Sequence, residues 1–577
     1  MSNKTKKKIV LVALNAKYIH SNPGIYSLQS YSLRKNPGAG VDTAVFTINQ
    51  DAGKIVEEIY TMDPGLIGFS CYIWNIAMIR TIVRNLSRIL PDTEIWLGGP
   101  EVSYCAEEIL AELPVYGVMI GEGEETFAGL VREYYSLDKD YRRVKGIVTR
   151  AFHTGDPDVC GMDELPFVYR DLNRGDFENH ILYYESSRGC PYSCTYCLSS
   201  IDKQVRFKSL DKVFEELQFF LDHGVRQVKF LDRTFNCRGS RAIAIWRYLS
   251  EHDNQITNFH FEIAAETLSE EALDLLAGMR PGLVRLEIGI QSTDPDTLKR
   301  IRRVMDPDQC RHVMEKLRKN GNIRLHLDLI AGLPGESYER FIRSFNEVYL
   351  MRPHELQLGF LKVLKGTAIE KEAHEAGIVY GAEPPYEVLY TADLSYAQLR
   401  KLKAVEEMLE SYYNSNQFER SIGFLEQYFE TPYELYEALA EFYRENNYTV
   451  AQPSRIKRYE ILLAFWKQRC PESKVSAQYD PEDAEKMLKE CLLYDLYARE
   501  CLKKRPDFAG DVPARIRKRE SKLRAKDLHV EHFEILTGAP ADLQFDYKDR
   551  DPVSGNAKVR EEEKDEKENG RDLTDPG

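Results

Sequence analysis

Long apolar runs are missing from this chain of 577 residues. No segment approaches the roughly 20 consecutive apolar residues that a membrane-spanning helix needs, and the short apolar run at residues 9–14 is too brief for the core of a secretion signal. The composition, 43% hydrophobic and 11% aromatic, is ample for packed cores. We therefore expect a globular, cytoplasmic protein of several domains, without a membrane partner, whose cysteines stay reduced.

An excess of positive charge is also missing. The net charge is −14, which argues against broad affinity for nucleic acid. The most basic stretch comprises residues 503–505 and the cations of 515–526, and neither cluster contains an aromatic residue, so we interpret it as a solvated helix face rather than an RNA-binding surface. The last aromatic residue is Tyr547, and a run of mixed charge follows, which predicts a disordered tail over residues 546–577.

Cysteine is sparse, with 11 residues, yet Cys190, Cys194 and Cys197 fall at C-x3-C-x2-C spacing. A fourth cysteine at comparable spacing is missing. Because structural zinc sites and ordinary iron–sulfur clusters take four protein ligands, a triad leaves one iron of a four-iron cluster open for a small molecule. Zinc remains an alternative if a distant Cys or His supplies the fourth ligand.

The triad, with Tyr196 before its last cysteine, resembles the signature of the radical S-adenosylmethionine (SAM) enzymes. The resemblance implies that the three cysteines hold a [4Fe–4S] cluster, with Tyr196 beside it, and that the methionine part of SAM chelates the open iron. It also implies that one electron from the cluster splits SAM into methionine and a 5'-deoxyadenosyl radical. An external donor such as flavodoxin or ferredoxin is then needed as a partner.

The first 150 residues alternate short apolar runs with helical patterns, which predicts an α/β fold with a doubly wound parallel sheet. Strands are predicted at residues 9–14, 41–47, 66–71, 94–97 and 116–120. Ligands bind beyond the carboxyl ends of such strands, so the loops there hold the candidate binding residues. These candidates are Asn15, Ser70, Tyr72, Gly98, Gly99, Pro100, Glu101, Gly121, Glu122, Gly123 and Glu124.

The glycine loops at residues 97–101 and 120–124, ahead of the triad, resemble the cobalamin-binding domain of cobalamin-dependent radical SAM proteins. The resemblance implies a flavodoxin-like or Rossmann-like domain over residues 1–150, in which these loops flank the nucleotide tail of cobalamin. The Asp-x-His-x-x-Gly motif of other cobalamin proteins is missing, because Tyr18 stands at the Asp position before His20. We interpret His20 as a loop histidine bonded to backbone.

Residues 151–180 lack strand periodicity and are predicted to form a linker. Strand–helix alternation resumes over residues 181–385, with strands predicted at 181–185, 227–231, 259–264, 283–288, 325–330 and 355–361. Six such units match the count of the radical SAM partial barrel, a (βα)6 relative of the TIM barrel. The triad follows the first of these strands directly, at the face where barrel enzymes place their chemistry.

Polar residues end the later barrel strands, as expected for strands that run into a polar pocket. The segments Gly-Ile-Gln-Ser and Gly-Leu-Pro-Gly-Glu resemble the corresponding segments of the radical SAM family. By that resemblance six residues are expected near SAM, four at its methionine or ribose and two at its adenine: Asp232, Glu266, Gln291 and Ser292, then Gly332 and Leu333. An ion pair or a helix cap is the alternative role for each carboxylate.

From residue 393 onward, apolar and aromatic positions recur at three- and four-residue spacing without intervening strands. This pattern predicts an α-helical C-terminal domain over residues 386–545. In position and texture the domain resembles an uncharacterised helical domain found behind some cobalamin-dependent radical SAM cores. Its aromatic stripe, which includes Tyr428 and Tyr433, is interpreted as core packing.

The predicted function is that of an enzyme that cleaves SAM reductively and uses cobalamin for methyl transfer to an unactivated carbon. Radical cyclisation or rearrangement is an alternative, because the loops do not separate it from methyl transfer. A tRNA methylthiotransferase would need a second cysteine triad, whereas Cys71, Cys105 and Cys160 stand far apart. A non-enzymatic iron–sulfur protein is the remaining alternative. No motif identifies the substrate.

Overall fold

The structure, a computed structural model, describes residues 7–170, 179–449, 452–470, 480–518 and 520–562. The chain divides into two compact units. The first comprises Met1–Phe341 and Leu358–Leu399, and the second comprises Ile342–Gln357 and Arg400–Gly577. Among the described residues no helix is both long and apolar enough to cross a membrane.

The N-terminal sheet has six strands in the order β2-β1-β3-β4-β5-β6. Their bounds are β1 Ile9–Asn15, β2 Val41–Thr47, β3 Leu66–Ser70, β4 Glu94–Gly98, β5 Gly117–Met119 and β6 Ile147–Thr149. Strands β1 to β5 are parallel, which confirms the five predicted strands. The sequence did not predict β6, which has only three residues and pairs antiparallel with β5 at the edge.

Helices cover both faces of this sheet. They are α1 Pro23–Lys35, α2 Ala52–Thr61, α3 Ile76–Ile89, α4 Pro100–Ser103, α5 Ala106–Glu112 and α6 Glu124–Tyr135. All seven residues of β1 are buried, and they divide by alternation between two apolar cores. Val10, Val12 and Leu14 belong to one core, and Ile9 and Leu11 belong to the other. Burial on both faces explains why β1 reads as a continuous apolar run.

The second sheet has the strand order β14-β13-β12-β11-β10-β7. Its strands are β7 Ile181–Tyr184, β10 Gln227–Phe230, β11 Asn258–Ile263, β12 Val284–Gln291, β13 Arg324–Ala331 and β14 Glu355–Phe360. A short hairpin of β8 Ser187–Arg188 and β9 Arg206–Phe207 follows β7. All six predicted strands are confirmed, in the sequential order of a partial (βα)6 barrel.

The helices of this region are α7 Leu210–Asp222, α8 Gly239–Glu251, α9 Glu270–Ala277, α10 Pro295–Arg300, α11 Pro307–Arg318, α12 Tyr338–Leu350 and α13 Ala368–Glu372. A two-stranded pair, β15 Val379–Tyr380 and β16 Val388–Tyr390, comes next. The predicted linker includes a single helical turn, Met162–Glu164. Its residues 171–178 lie outside the described residues.

The second unit is mainly helical but ends in a sheet. Its helices are α14 Tyr396–Leu409, α15 Glu419–Leu425, α16 Pro432–Glu445, α17 Arg455–Arg469, α18 Pro481–Arg499, α19 Ala514–Arg517 and α20 Glu520–Arg524. Three antiparallel strands follow, namely β17 Leu528–Phe533, β18 Ala541–Arg550 and β19 Ala557–Glu561.

This sheet corrects two predictions. The C-terminal domain is not free of strands, and residues 546–562 are not a disordered tail. The strands escaped notice because β18 is half charged, although its alternating residues Leu543 and Phe545 pack with Tyr497 in an apolar core. Charged residues on the open face of an amphipathic strand resemble a tail by composition. Residues 563–577 of the predicted tail lie outside the described residues.

Candidate cofactor sites

The cysteine triad lies in the loop after β8, at the carboxyl end of the first barrel strand. Cys190 and Cys194 are buried, and Cys197 is partly exposed. Ser200 Oγ holds the loop by donating to the carbonyl oxygens of Cys194 at 2.8 Å and Cys197 at 2.6 Å. The position of the triad relative to the strand is the predicted one.

The three thiols share this loop. Among the residues that the structure describes, no three His, Cys, Asp or Glu side chains are grouped so that they could hold a metal ion. The donor set fits an iron–sulfur cluster, because thiolates are its ligands. Cys71, Cys105 and Cys160 likewise form no such group.

Arg303 is the cation beside the triad. Its Nη1 lies 4.0 Å from Cys194 Sγ, and its Nη2 donates to the carbonyl oxygen of Gly289 at 2.6 Å. Burial raises the pKa of the Cys194 thiol, and the Arg303 guanidinium opposes that rise. Burial also raises the pKa of Tyr196, which lies next to Cys194. Sequence reasoning missed Arg303, because nothing in the run 300–303 distinguishes one arginine from another.

Asp232, which follows β10, is buried, and its carboxylate is hydrogen-bonded within the protein. Its carboxylate accepts hydrogen bonds from Ser186 N at 2.9 Å, Ser186 Oγ at 2.7 Å and Ser187 Oγ at 2.5 Å. Only 1% of the residue is exposed, and burial raises the pKa of the carboxyl. These bonds anchor the segment that leads into the triad, and they favour the structural alternative over direct contact with SAM.

Gln291 ends β12 in a conformation that suits a ligand contact. Its φ is 73°, in a region that non-glycine residues occupy mainly at functional sites and turns. A Cβ at Gly289 would lie only 2.3 Å from Gln291 Nε2, so the amide lies against that glycine. Gln291 Oε1 is buried and accepts no hydrogen bond. An oxygen in this state fits a hydroxyl donor such as those of the SAM ribose.

The other predicted SAM residues lie near the same strand ends. Ser292 is fully buried and donates to Glu336 at 2.5 Å, and Glu266 accepts from Tyr192 at 3.4 Å. Gly332 has φ 87°, and a Cβ there would meet a Val388 methyl group at 2.7 Å. Leu333 is fully buried. Their contacts with SAM stay a prediction.

The loops after β3, β4 and β5 pack against each other at one edge of the N-terminal sheet. Gly99 has φ 111°, and a Cβ there would lie 2.6 Å from the carbonyl oxygen of Cys71. Ser103, in the helix that Pro100 begins, accepts a hydrogen bond from Gly121 N at 3.2 Å. Only a glycine allows this close approach of two backbones.

The remaining candidates of this edge have specific partners. Glu101 accepts from Tyr386 at 2.5 Å, and burial raises the pKa of its carboxyl. Asn15 Nδ2 donates to the carbonyl oxygen of His20 at 2.8 Å. The Tyr72 ring stacks on Trp74 at 4.3 Å between centroids. Gly98 is buried in β4, and the Ser70 carbonyl oxygen accepts a hydrogen bond from Asn75 at 3.0 Å.

The carboxylates of Glu122 and Glu124 form ion pairs with arginines and do not point into open space. Arg188, two residues before Cys190, places Nη1 2.9 Å from Glu122 Oε2 and Nη2 3.0 Å from Glu124 Oε1. Arg206 of β9 also pairs with Glu122. The 121–124 loop of the N-terminal sheet therefore touches the segment that carries the cysteine triad.

His20 also joins the two sheets. Its Nδ1 lies 2.8 Å from the Tyr183 hydroxyl of β7, so the ring bonds to a side chain and not to backbone as predicted. The backbone N–H of Ile181 donates to the carbonyl oxygen of Ile19 at 2.7 Å. Burial lowers the pKa of His20.

The inner face of the barrel carries charged groups that the sequence analysis missed. Lys229 Nζ lies 3.0 Å from Glu287 Oε2 and 3.7 Å from Glu262 Oε1. His260 Nε2 lies 2.9 Å from Glu287 Oε2, and His326 Nε2 lies 2.9 Å from Asp328 Oδ1.

The pKa values of these lumen carboxyls diverge. Burial raises the pKa of Glu262 and of Asp328. Burial also acts to raise that of Glu287, but the bond from His260 and the charge of Lys229 outweigh it and lower the pKa. The sequence carries this signal as polar residues that alternate with apolar ones along much of β11, β12 and β13, away from the strand ends where ligand contacts are expected.

Three family models match the chain in order. They are the B12 binding domain at residues 9–131, the Radical SAM superfamily at residues 184–348, and a protein of unknown function, DUF4080, at residues 374–550. The chain therefore contains a cobalamin-binding domain followed by a radical SAM domain. More particularly, the chain carries a DUF4080 domain in its C-terminal region. Its cofactors are those of its domains: a [4Fe–4S] cluster, SAM and cobalamin.

Relatives agree with this assignment. The chain is 27% identical over 307 residues to an uncharacterized methyltransferase of Pyrococcus horikoshii, which covers 50% of this chain and 64% of the relative. It is 25% identical over 324 residues to the cobalamin-dependent radical SAM methyltransferase TokK of Streptomyces tokunonensis, covering 51% and 46%. The chain thus spans less than two thirds of each of these relatives.

Among solved structures, the fold is similar to that of the cobalamin-dependent S-adenosylmethionine radical enzyme OxsB with aqua-cobalamin bound. The TM-score is 0.57 at 17% identity, over 85% of this chain and 80% of that one. This likeness concerns the fold and confirms the predicted combination of a doubly wound domain and a partial barrel.

Proposed function

We propose that the protein is an enzyme that cleaves SAM reductively at a cluster held by Cys190, Cys194 and Cys197 and transfers a methyl group through cobalamin to an unactivated carbon. One observation carries the proposal: the predicted cobalamin loop and the triad segment meet through Arg188 and Glu124, at 3.0 Å. Two cofactors that share one reaction need binding sites that adjoin. The methyltransferase names of the relatives favour methyl transfer over rearrangement.

The residues of this chain bind the cofactors and orient them. When bound, the cluster supplies the electron for SAM cleavage, and cobalamin supplies the methyl group. Asp232 fixes Ser186 and Ser187 at the start of the triad segment. Gln291 Oε1 accepts a hydrogen bond from a ribose hydroxyl of SAM, which satisfies its buried oxygen. A cytoplasmic donor such as flavodoxin or ferredoxin delivers the electron.

The substrate places a polar part in the barrel lumen. Lys229, Glu262, Glu287 and Asp328 retain between 17% and 26% of their side-chain surface accessible, although they face inward. Charged groups in this setting gain from polar ligand partners and would be penalised by an apolar one. The substrate class is therefore polar at the end that enters the lumen.

The test is an anaerobic reconstitution with iron, sulfide and hydroxocobalamin, followed by metal counting after removal of unbound ligand. We expect four irons and one cobalt per chain, as one [4Fe–4S] cluster and one cobalamin require. With SAM carrying a deuterated methyl group and a reductant, labelled methylcobalamin is the readout, and it needs no substrate. Iron without cobalt would remove methyl transfer from the proposal. Cobalt without label transfer would favour cyclisation or rearrangement.

A further inference from the structure

Arg188 occupies a central position between the two cofactor loops. It belongs to β8, and Gly189 alone separates it from Cys190. Its guanidinium contacts three carboxylates, namely Glu122, Glu124 and Glu185, at 2.9, 3.0 and 2.8 Å. The first two belong to the loop of the N-terminal domain, and the third is on the barrel side. Arg206, paired with Arg188 across the hairpin, adds a second cation to Glu122.

This cluster is largely removed from water. The Glu124 side chain is 8% exposed and the Arg188 side chain is 21% exposed. Burial acts to raise the pKa of Glu124, but the charge of Arg188 together with hydrogen bonds from Arg188 and Ser27 lowers the pKa. Buried charges of this kind are tolerated only while every partner stays in place, because an unpaired buried charge is costly. The two loops therefore hold their positions together.

The geometry also decides whether Glu122 and Glu124 contact a ligand or anchor the 121–124 loop. Their carboxylate oxygens already accept bonds from Arg188 and Arg206. Glu122 and Glu124 consequently anchor the 121–124 loop toward the barrel.

We infer that Arg188 is a positioning residue that couples occupancy of the cluster site to occupancy of the cobalamin site. The inference rests on the proposed function. A cluster bound at Cys190 would fix the backbone of the segment that carries Arg188, because Gly189 alone separates the two residues. That segment holds the 121–124 loop through two ion pairs. By linkage, each cofactor then favours binding of the other to the same degree.

The experiment measures this coupling directly. The dissociation constant of hydroxocobalamin is determined by anaerobic absorbance titration for cluster-free and cluster-loaded wild-type protein, and again for Arg188→Met. We expect the cluster to tighten cobalamin binding by about 5-fold or more in the wild type, in the usual range of coupling between sites. In Arg188→Met we expect a ratio within about twofold of one. Arg188→Lys, which keeps the charge but not the forked geometry, should recover part of the coupling.

Matched variants keep the test decisive. Arg84→Met removes an exposed ion pair with Glu112 on the same domain and should leave the ratio unchanged. If Arg188→Met fails to load iron, the Glu122→Gln, Glu124→Gln double variant breaks the same contacts and leaves the triad segment intact. A wild-type ratio of one, or an undiminished ratio in the variants, overturns the inference. Wild-type protein that binds no cobalamin in either state contradicts the proposed function itself, which is a distinct outcome.

Discussion

The two parallel sheets of the first unit differ in the polarity of the residues on their faces. In the N-terminal sheet β1 is buried along its whole length, and helices cover both faces. In the barrel sheet the outward positions of β12 and β13 are buried and apolar, whereas the inward positions are polar and partly accessible. Closed barrels usually fill their interior with branched apolar side chains. Here the interior is kept charged, at a cost in stability.

This contrast teaches where stability and function reside. Apolar residues on both faces of the N-terminal sheet supply folding free energy through burial, while its ligand contacts are confined to the loops at one edge. In the barrel, the inward-facing half of the positions on β12 and β13 is polar and available for ligand contacts. Substitutions in the N-terminal core should therefore cost more stability than those in the barrel lumen, where the effects should depend on pH. The following predictions run from the largest expected effect to the smallest.

Cys194→Ala should abolish SAM cleavage, because it removes one of only three cysteine ligands of the cluster. The measurement is 5'-deoxyadenosine formed from SAM under strong reductant, with iron content determined on the same sample. Cys470→Ala, a buried cysteine of the second unit, is the control and should retain cleavage. Full cleavage by a Cys194→Ala protein that lacks a cluster would contradict the site assignment.

Phe69→Ala, in β3 of the N-terminal sheet, should lower the free energy of unfolding by about 3–5 kcal/mol, as expected for a large buried aromatic. Phe69 is 2% exposed and belongs to the core on one face of that sheet. Urea denaturation followed by circular dichroism gives the value. A loss below about 1 kcal/mol would mean that this core is not packed as the structure shows.

Lys229→Met, in the barrel lumen, should lower the free energy of unfolding by about 1–3 kcal/mol, because it leaves Glu262 and Glu287 facing each other without their lysine. The loss is smaller than for a fully buried pair, since the side chain keeps 26% of its surface accessible. Lys229→Arg is the control and should retain most of the stability. A Lys229→Met protein more stable than the wild type would show that the lumen lysine is costly rather than needed.

The pH dependence of two lumen variants should have opposite signs. Glu262 has a raised pKa, so its stabilising contribution is present at acidic pH and is lost as pH rises through the folded-state pKa. Glu262→Gln should thus gain on the wild type as pH rises above about 4. Glu287 has a lowered pKa, so its contribution is lost as pH falls below about 4. The second variant, Glu287→Gln, should thus lose on the wild type as pH rises toward about 4. Urea midpoints from pH 3 to 8 give both slopes, and equal slopes would contradict the assigned network.

The sequence predicted eleven strands of the two sheets because parallel strands covered by helices carry apolar runs. The loops that follow them could be placed at one edge for the same reason. Partners could not be predicted, since Arg188 and Glu124 stand 64 residues apart and no local pattern joins them. Arg303 was missed for the same reason. The C-terminal sheet was missed because the polar residues of β18 hid its short apolar alternation.

The loop after β1 has one more consequence, which concerns assembly of the molecule. Strand β7 is at the edge of the barrel sheet, and such edges invite pairing with other chains. Residues Ile19 to Ser21 lie along it, with hydrogen bonds of 2.7 and 3.3 Å to Ile181. The N-terminal domain thus shields this edge from pairing with other chains. A barrel produced without that domain would expose β7 as an unpaired edge strand that is prone to self-association.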